Sequence, residues 1–332
     1  MIEISKDKSI VIKGIVIMMM VFLHLFNGNH TDECVNLLYI GDVPFAKWLS
    51  NACGPVPFFL LLSGYGLAYT YEHSELTFLK QLRRIIRLYL HYWIILLCFL
   101  VIGWYLYPDR YPGSWYRLTV NAIGWKTDYN YEIWFLFPYS LVALTSKYII
   151  HAIGKIGNVG SAILAPIVYF GSCYVISRYH ATVMAEYSLL NIGVVYLQFI
   201  SPFAIGVLFF RGDFRWNYKM SQWQVILMMI CAVTATATIA VSVVSIVYVP
   251  IMVFLFCQLS LPQWLENILM ELGRKSMPIW MIHTWYSNYL FHEQVYSLKY
   301  PIVIFVVVIA VSYLSSIPVM WITRKCIVVL KI

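Results

Sequence analysis

The chain has 332 residues, of which 61% are hydrophobic and only 11% are charged. Soluble domains carry roughly 25% charged residues, so this composition excludes an ordinary soluble protein and indicates that lipid solvates much of the surface. The formal net charge of +8 would also suit an anionic partner. The placement of the basic residues fits orientation in a bilayer better than nucleic-acid binding.

Apolar windows of roughly 16 to 21 residues, each long enough to cross a bilayer as a helix, fill most of the chain. The first window follows Lys6 and Lys8 without a small-residue cleavage pattern, which predicts a retained helix rather than a signal peptide. The sequence therefore predicts an all-α integral membrane protein, with a bundle of about ten transmembrane helices in a single domain over residues 1–332. The windows are 9–26, 53–71, 88–107, 132–150, 161–177, 190–210, 223–238, 240–257, 276–291 and 301–322.

The division between the seventh and eighth windows is the weakest one. No charged residue occurs from 223 to 257, a stretch that is too long for one span. We predict an outer turn at the Ala-Thr-Ala-Thr stretch, residues 235–238.

The basic residues set the predicted orientation. Placing the N-terminus inside puts 17 of the 23 Lys and Arg residues, Arg215 among them, on the cytoplasmic side. Such an excess is typical of cytoplasmic loops, so we predict that both termini are cytoplasmic. The six residues left outside are Lys47, Arg110, Arg117, Lys126, Arg178 and Lys299.

Two predicted outer loops, 27–52 and 108–131, are long enough to carry function. The second is rich in aromatic residues, and an interfacial aromatic belt is the favoured interpretation. A platform on which sugar rings stack is the alternative. The aromatic residues are Tyr107, Tyr111, Trp115, Tyr116, Trp125, Tyr129 and Tyr131.

The seven cysteines show no spacing typical of metal ligands, so no metal site is predicted. Most of them lie in apolar windows, where a free cysteine behaves as a small hydrophobic residue. Cys34 and Cys53 flank one loop, and a disulfide between them is an alternative that the sequence does not favour.

Ionisable residues inside the apolar windows are candidates for function. Lys13 and His24 lie eleven residues apart in the first window, which on a helix is about three turns, so both share one face roughly 16 Å apart. Spacing alone leaves two interpretations open: a catalytic pair, or a snorkelling lysine with a satisfied core histidine. His283 is another histidine within a window.

Lys80, Arg83, Arg84 and Arg87 form a basic stripe at the start of the third window, with helical spacing i, i+3, i+4 and i+7. Anchoring to anionic lipid would explain this stripe without a ligand. Arginines that converge at an entrance also suit a phosphate-rich ligand, because guanidinium binds phosphate with two hydrogen bonds.

Five segments in order resemble the membrane acyltransferase family 3. They are KGIVIMMMVFLHLF at 13–26, FFLLLSG at 58–64, RIIR at 84–87, WFL at 134–136, and LGRKS at 272–276 with the later Ile282 and His283. The family has an arginine in the first helix where this chain has Lys13, which keeps the charge but loses the two-pronged geometry.

The resemblance implies transfer of an acyl group, usually acetyl, from acyl-CoA to a carbohydrate hydroxyl. Acyl-CoA would be a co-substrate, with no permanently bound cofactor, and the location would be the bacterial cytoplasmic membrane. A mechanism through a covalent acyl-histidine stays open, and so does the oligomeric state. The rival functions are a glycolipid transporter or flippase and a non-catalytic scaffold. The residues implied are His24 as general base, Lys13, Arg83, Arg84 and Arg87 as the acyl-CoA site, and Ser63, Tyr65, Trp134 and His283 as candidate oxyanion or acceptor contacts.

Overall fold

The computed structural model describes residues 4–179, 188–212 and 219–332. Within these ranges the chain is almost entirely helical. The α-helices are α1 (Lys6–Phe26), α2 (Phe45–Ser50), α3 (Val56–His73), α4 (Phe78–Leu106), α5 (Trp115–Ala122), α6 (Leu136–Ile156), α7 (Asn158–Tyr179), α8 (Leu189–Arg211), α9 (Gln222–Ile239), α10 (Ser245–Gln258), α11 (Gln263–Arg274), α12 (Ser276–Thr284), α13 (His292–Tyr296) and α14 (Pro301–Leu330).

Shorter elements connect these helices. Three 3-10 turns occupy Asn29–Glu33, Tyr131–Phe135 and Ser242–Val244, and a π-helical turn, Trp285–Leu290, joins α12 to α13. One antiparallel hairpin pairs β1 (Tyr39–Ile40) with β2 (Val43–Pro44) ahead of α2.

Seven helices of the described residues are long and apolar enough to cross a membrane. They are α1, α4, α7, α8, α9, α14, and Tyr131–Ile156, which combines a 3-10 turn with α6. The prediction of an all-α membrane protein is therefore confirmed. The three remaining predicted windows coincide with α3, with α10, and with α12 and its π-helical turn, which are shorter or less apolar. The total of ten spans and the cytoplasmic side of the termini stay predictions.

The predicted turn at residues 235–238 is misplaced by a few residues. These residues continue α9, which ends at Ile239, and the chain turns at Ala240 in the left-handed conformation (φ 53°). The N–H of Ala240 donates to the carbonyl of Thr236 and closes the last helical turn. Alanine and threonine are compatible with a helix, so this stretch carries no strong signal for a turn.

Hydrogen bonds to distant segments hold the chain at both ends of α1. At one side, the Lys8 ammonium at the start of α1 donates to the carbonyl of Leu259, just after α10, at 2.8 Å. At the other side, the N–H of Val35 donates to the carbonyl of Lys299, just before α14, at 2.8 Å. Arg215, which is predicted to be cytoplasmic, lies outside the described residues.

The cysteines do not pair. All seven are free thiols, and Cys34 and Cys53 each donate to a backbone carbonyl four residues earlier, from His30 and Leu49. The alternative of a Cys34–Cys53 disulfide is therefore wrong for this structure.

Glycines bring two pairs of helices into backbone contact. A Cβ at Gly64 would overlap a backbone carbonyl of α8, and a Cβ at Gly206 would overlap a carbonyl of α3. Gly14 and Gly273 have the same relation between α1 and α11. Small residues permit such close helix packing in membranes. These crossings fix the backbone next to Lys13 and Ser63, two of the predicted site residues.

Candidate active site

A cavity of about 470 Å³ lies between α1, α3, α4, α6 and α12. Each of these helices contributes polar or charged side chains to an otherwise apolar wall, as is typical of ligand sites. The polar and charged lining residues are Lys13, Ser63, Gln81, Arg84, Arg87, His91, Tyr139 and Ser276.

Three of the lining residues are cations. Within the described ranges, no carboxylate lies within salt-bridge distance of Lys13, Arg84 or Arg87. Cations that share a partly enclosed space repel one another and gain energy when an anion joins them. The cavity is therefore suited to a ligand that carries several negative charges.

The face of α4 that lines this cavity differs from the predicted basic stripe. Arg84 and Arg87 line the cavity, whereas Arg83 is not among its lining residues and Lys80 donates to the carbonyl of Glu75 at 2.8 Å. The predicted place of Arg83 in the acyl-CoA site thus receives no support from its position. Residues 81, 84, 88 and 91 repeat at helical spacing and line the cavity. The face of α4 towards the cavity is therefore shifted by about one residue towards the C-terminus from the predicted stripe of residues 80, 83, 84 and 87.

Gln81 is a lining residue that the sequence analysis missed. Its side chain is 2% exposed, and its amide nitrogen has no hydrogen-bond partner in the described part of the chain. A buried donor without a partner typically costs about 1–3 kcal/mol. Such a donor in a cavity wall is consistent with a ligand that accepts a hydrogen bond from it.

His24 and His283 form a hydrogen-bonded pair. His24 Nδ1 lies 2.7 Å from His283 Nε2, with the two rings nearly parallel. His283 Nδ1 lies 2.8 Å from the carbonyl oxygen of Trp280, which can only accept, so Nδ1 of His283 carries the proton. Its Nε2 then accepts from the Nδ1–H of His24, and the Nε2 of His24 is left unprotonated, with no hydrogen-bond partner among the described residues.

Burial distinguishes the roles of the two histidines. His283 is 0% exposed, whereas His24 is only partly buried. Met20, one turn before His24, and Trp280, one turn before His283, belong to the cavity lining. The histidine pair therefore lies one helical turn beyond the lined cavity, with the free nitrogen on the more accessible ring.

Two of the predicted oxyanion or acceptor contacts have other positions. Tyr65 lies two residues beyond Ser63, about 200° around the helix, and its hydroxyl accepts the N–H of Ile4 at 3.1 Å. His283 has both ring nitrogens engaged, so no N–H remains for an oxyanion. Ser63 does line the cavity, 3.3 Å from the hydroxyl of Tyr139.

Trp134 lines a second cavity, of about 250 Å³, together with Trp125, Tyr131 and Phe137. The first cavity contains its neighbour Phe135 instead, because adjacent residues of a helix face different directions. Trp125 and Tyr131 belong to the second outer loop, and Trp134 follows it closely. Tyr111 and Tyr129 of that loop are fully buried, so the predicted interfacial belt does not describe all of its aromatic residues.

Fold and cavity together define a multi-pass helical membrane protein built around a basic, helix-lined site. A family model described as an acyltransferase domain matches residues 8–322. The chain therefore belongs to the membrane acyltransferase family 3, as its five segments predicted, and is a membrane acyltransferase. Searches with the chain find no significant match among curated proteins or solved structures.

Replacing Gln81 by Leu should stabilise the ligand-free protein, because it removes a buried amide that lacks a partner while keeping the volume similar. We expect the thermal midpoint in detergent to rise. Gln222 is the matched control, since its amide donates to the carbonyl of Gln258 and accepts from the N–H of Ser260. Gln222→Leu should lower the midpoint. A midpoint for Gln81→Leu that falls as far as that of Gln222→Leu would contradict the ligand-contact interpretation.

Proposed function

We propose that the protein transfers an acyl group, in the simplest case acetyl, from acyl-CoA to a hydroxyl of a cell-surface or exopolysaccharide sugar at the bacterial cytoplasmic membrane. The observation that carries the proposal is the free Nε2 of His24, located one helical turn from a cavity whose three cations have no acidic partner among the described residues. Family membership supplies the reaction class, and these residues suggest how the class is realised in this chain.

The donor would bind through its phosphates. Coenzyme A carries three phosphates at its nucleotide end, and Arg84 and Arg87 can each bind phosphate through two hydrogen bonds. Lys13 supplies a point charge on the opposite wall. The narrow pantetheine arm would then run along the apolar part of the cavity towards Met20 and Trp280, which brings the thioester close to His24.

His24 would act as the general base. Its Nε2 takes the proton of the sugar hydroxyl as the oxygen attacks the thioester carbonyl, and the carbon–sulfur bond breaks as the tetrahedral intermediate collapses. The imidazolium then returns the proton to the departing thiolate of coenzyme A. Such a step is typically worth 10² to 10⁴ in rate. Ser63 and Tyr139 provide hydroxyls in the cavity that can donate to the developing oxyanion.

His283 would position the base. Its Nε2 accepts from Nδ1 of His24 and holds the ring in the tautomer that leaves Nε2 free, the role that an aspartate has in serine-protease triads. A buried neutral imidazole is a weaker partner than a carboxylate. It has the advantage of adding no negative charge beside an anionic thiolate.

The second cavity is the candidate acceptor site. Sugar rings stack on aromatic faces, and Trp125, Tyr131 and Trp134 line this space together with polar Thr127, Asn191 and Gln198. In this proposal Trp134 would be an acceptor contact, as the sequence predicts. Its position indicates a remote part of the acceptor rather than the reacting hydroxyl.

A transporter or flippase for glycolipid intermediates is the second candidate. Proteins of that class often contain paired, interrupted helices in two halves. In the described residues, one π-helical turn, Trp285–Leu290, interrupts one segment only. A transporter would not consume acyl-CoA, so thioester hydrolysis or transfer by the purified protein separates the two functions.

Replacing Arg84 and Arg87 together by Ala should weaken binding of coenzyme A by at least about 100-fold, because each charge-assisted contact contributes about 1.5–3 kcal/mol. Calorimetric titration in detergent measures this affinity. Arg83→Ala is the matched control, since Arg83 lies on the same helix but outside the cavity, and it should retain the native affinity. Equal affinity in the double variant and the native protein would show that the basic residues serve lipid anchoring instead.

His24→Asn should lower the rate of acyl transfer by at least about 100-fold and leave coenzyme A binding intact. Asparagine resembles histidine in size but cannot act as a base. The assay is acetyl transfer per mole of folded protein, with coenzyme A affinity measured on the same sample. His151 is exposed on α6, and His151→Asn should keep native turnover. Turnover of His24→Asn close to that of His151→Asn would remove His24 from the reaction.

A further inference from the structure

Three side chains converge beyond the end of α1, away from the basic cavity. They are His30 and Glu33 in the first 3-10 turn and His292 at the start of α13, and their candidate ligand atoms all lie within 4.8 Å of one another. His30 Nδ1 lies 3.1 Å from Glu33 Oε1, and His292 Nε2 lies 3.1 Å from Glu33 Oε2.

The hydrogen bonds of His292 indicate that a positive species belongs at this point. His292 Nδ1 lies 2.8 Å from the carbonyl oxygen of Ser287, which can only accept, so Nδ1 carries the proton of the neutral ring. Its Nε2 lone pair then faces both carboxylate oxygens of Glu33, at 3.2 and 3.1 Å. A lone pair against a carboxylate is repulsive unless a proton or a metal ion lies between them.

The spacing of the three donors suits a metal ion as well as a proton. Ligand atoms about 2.0–2.2 Å from one tetrahedral ion lie roughly 3.3 to 3.6 Å from one another, close to the 3.1 Å that separates each imidazole nitrogen from the Glu33 carboxylate. Two imidazole nitrogens and one carboxylate oxygen form the donor set of three-ligand zinc sites. The Ser287 carbonyl orients His292 as the second sphere of such sites commonly does.

We propose that His30, Glu33 and His292 bind a divalent metal ion of the zinc type. His30 would contribute Nδ1, His292 would contribute Nε2, and Glu33 would contribute its carboxylate. Glu33 is exposed and the two histidines are partly exposed, so a fourth coordination position is open to water or to an anionic ligand. No local sequence pattern marks this site, because His292 lies 259 residues from Glu33.

The site would join the two segments that carry the histidine pair. His30 and Glu33 follow α1, which carries His24, and His292 follows α12, which carries His283. Other contacts already connect these segments, since the hydroxyl of Tyr296 donates to the carbonyl of Leu25 at 2.9 Å. Loss of the metal should therefore loosen this end of the protein without unfolding it. The proposal does not depend on acyl transfer.

The test is titration of the full chain, purified in detergent, freed of affinity tags and stripped with a chelator, using Zn²⁺ alone as the probe. We expect one equivalent to bind with a Kd in the micromolar range or tighter. His292→Ala and Glu33→Gln should each weaken that binding by at least about 100-fold, and Glu33→Gln keeps the size and hydrogen-bonding capacity of the side chain. His151→Ala, which removes an exposed histidine far along the chain on α6, should bind as the native protein does.

Circular dichroism and size-exclusion profiles, compared for all four proteins, separate loss of the site from loss of the fold. The absorption spectrum of Co²⁺ substituted into the native protein provides a second readout, because nitrogen and oxygen ligands in a tetrahedral arrangement give intense visible bands. Absence of saturable binding to the native protein would overturn the proposal. Retention of native affinity in either His292→Ala or Glu33→Gln would overturn it equally.

Discussion

The hydrogen bond between Nδ1 of His24 and Nε2 of His283 connects α1 to α12, and the two histidines are 259 positions apart in the sequence. It depends on a second hydrogen bond, from Nδ1 of His283 to the carbonyl of Trp280. Since a carbonyl can only accept, the direction of both bonds is fixed, and the free lone pair falls on Nε2 of His24. The chemistry proposed for this chain depends on that nitrogen, and therefore on the packing of α1 against α12.

Helix α1 contributes to both the proposed base and the basic cavity. Lys13 and His24 lie on one face of α1, so the helix that carries the base also supplies a cation to the donor site. Lys13, Arg84 and Arg87 have no acidic partner in the described residues. Lys13 is partly buried in the first apolar helix, where an unpaired charge is costly. A polyanionic substrate would provide the missing partner each time it binds. Donor binding would thus relieve the repulsion between the three cations.

Features that depend on one helix could be predicted from the sequence, whereas features that depend on contacts between helices could not. The spacing of Lys13 and His24 and the RIIR segment led to residues that lie at or next to the cavity. Tyr65 stays a prediction, although its hydroxyl accepts the N–H of Ile4 and Tyr65 is not among the residues that line the cavity. His283 was recognised as a candidate without its partner, and the metal ligands shared no local pattern. Gln81 could have been found, because it shares the face of Arg84 and Leu88.

The tautomer of His24 tests the account most directly. In protein labelled with ¹⁵N at histidine, the resonances of His24 are assigned by their loss in His24→Asn. The account predicts, for the ligand-free protein at neutral pH, a protonated Nδ1 and an unprotonated Nε2, with a coupling across the hydrogen bond to Nε2 of His283. A His24 ring protonated at Nε2, or at both nitrogens, would contradict the assignment of this residue as the base.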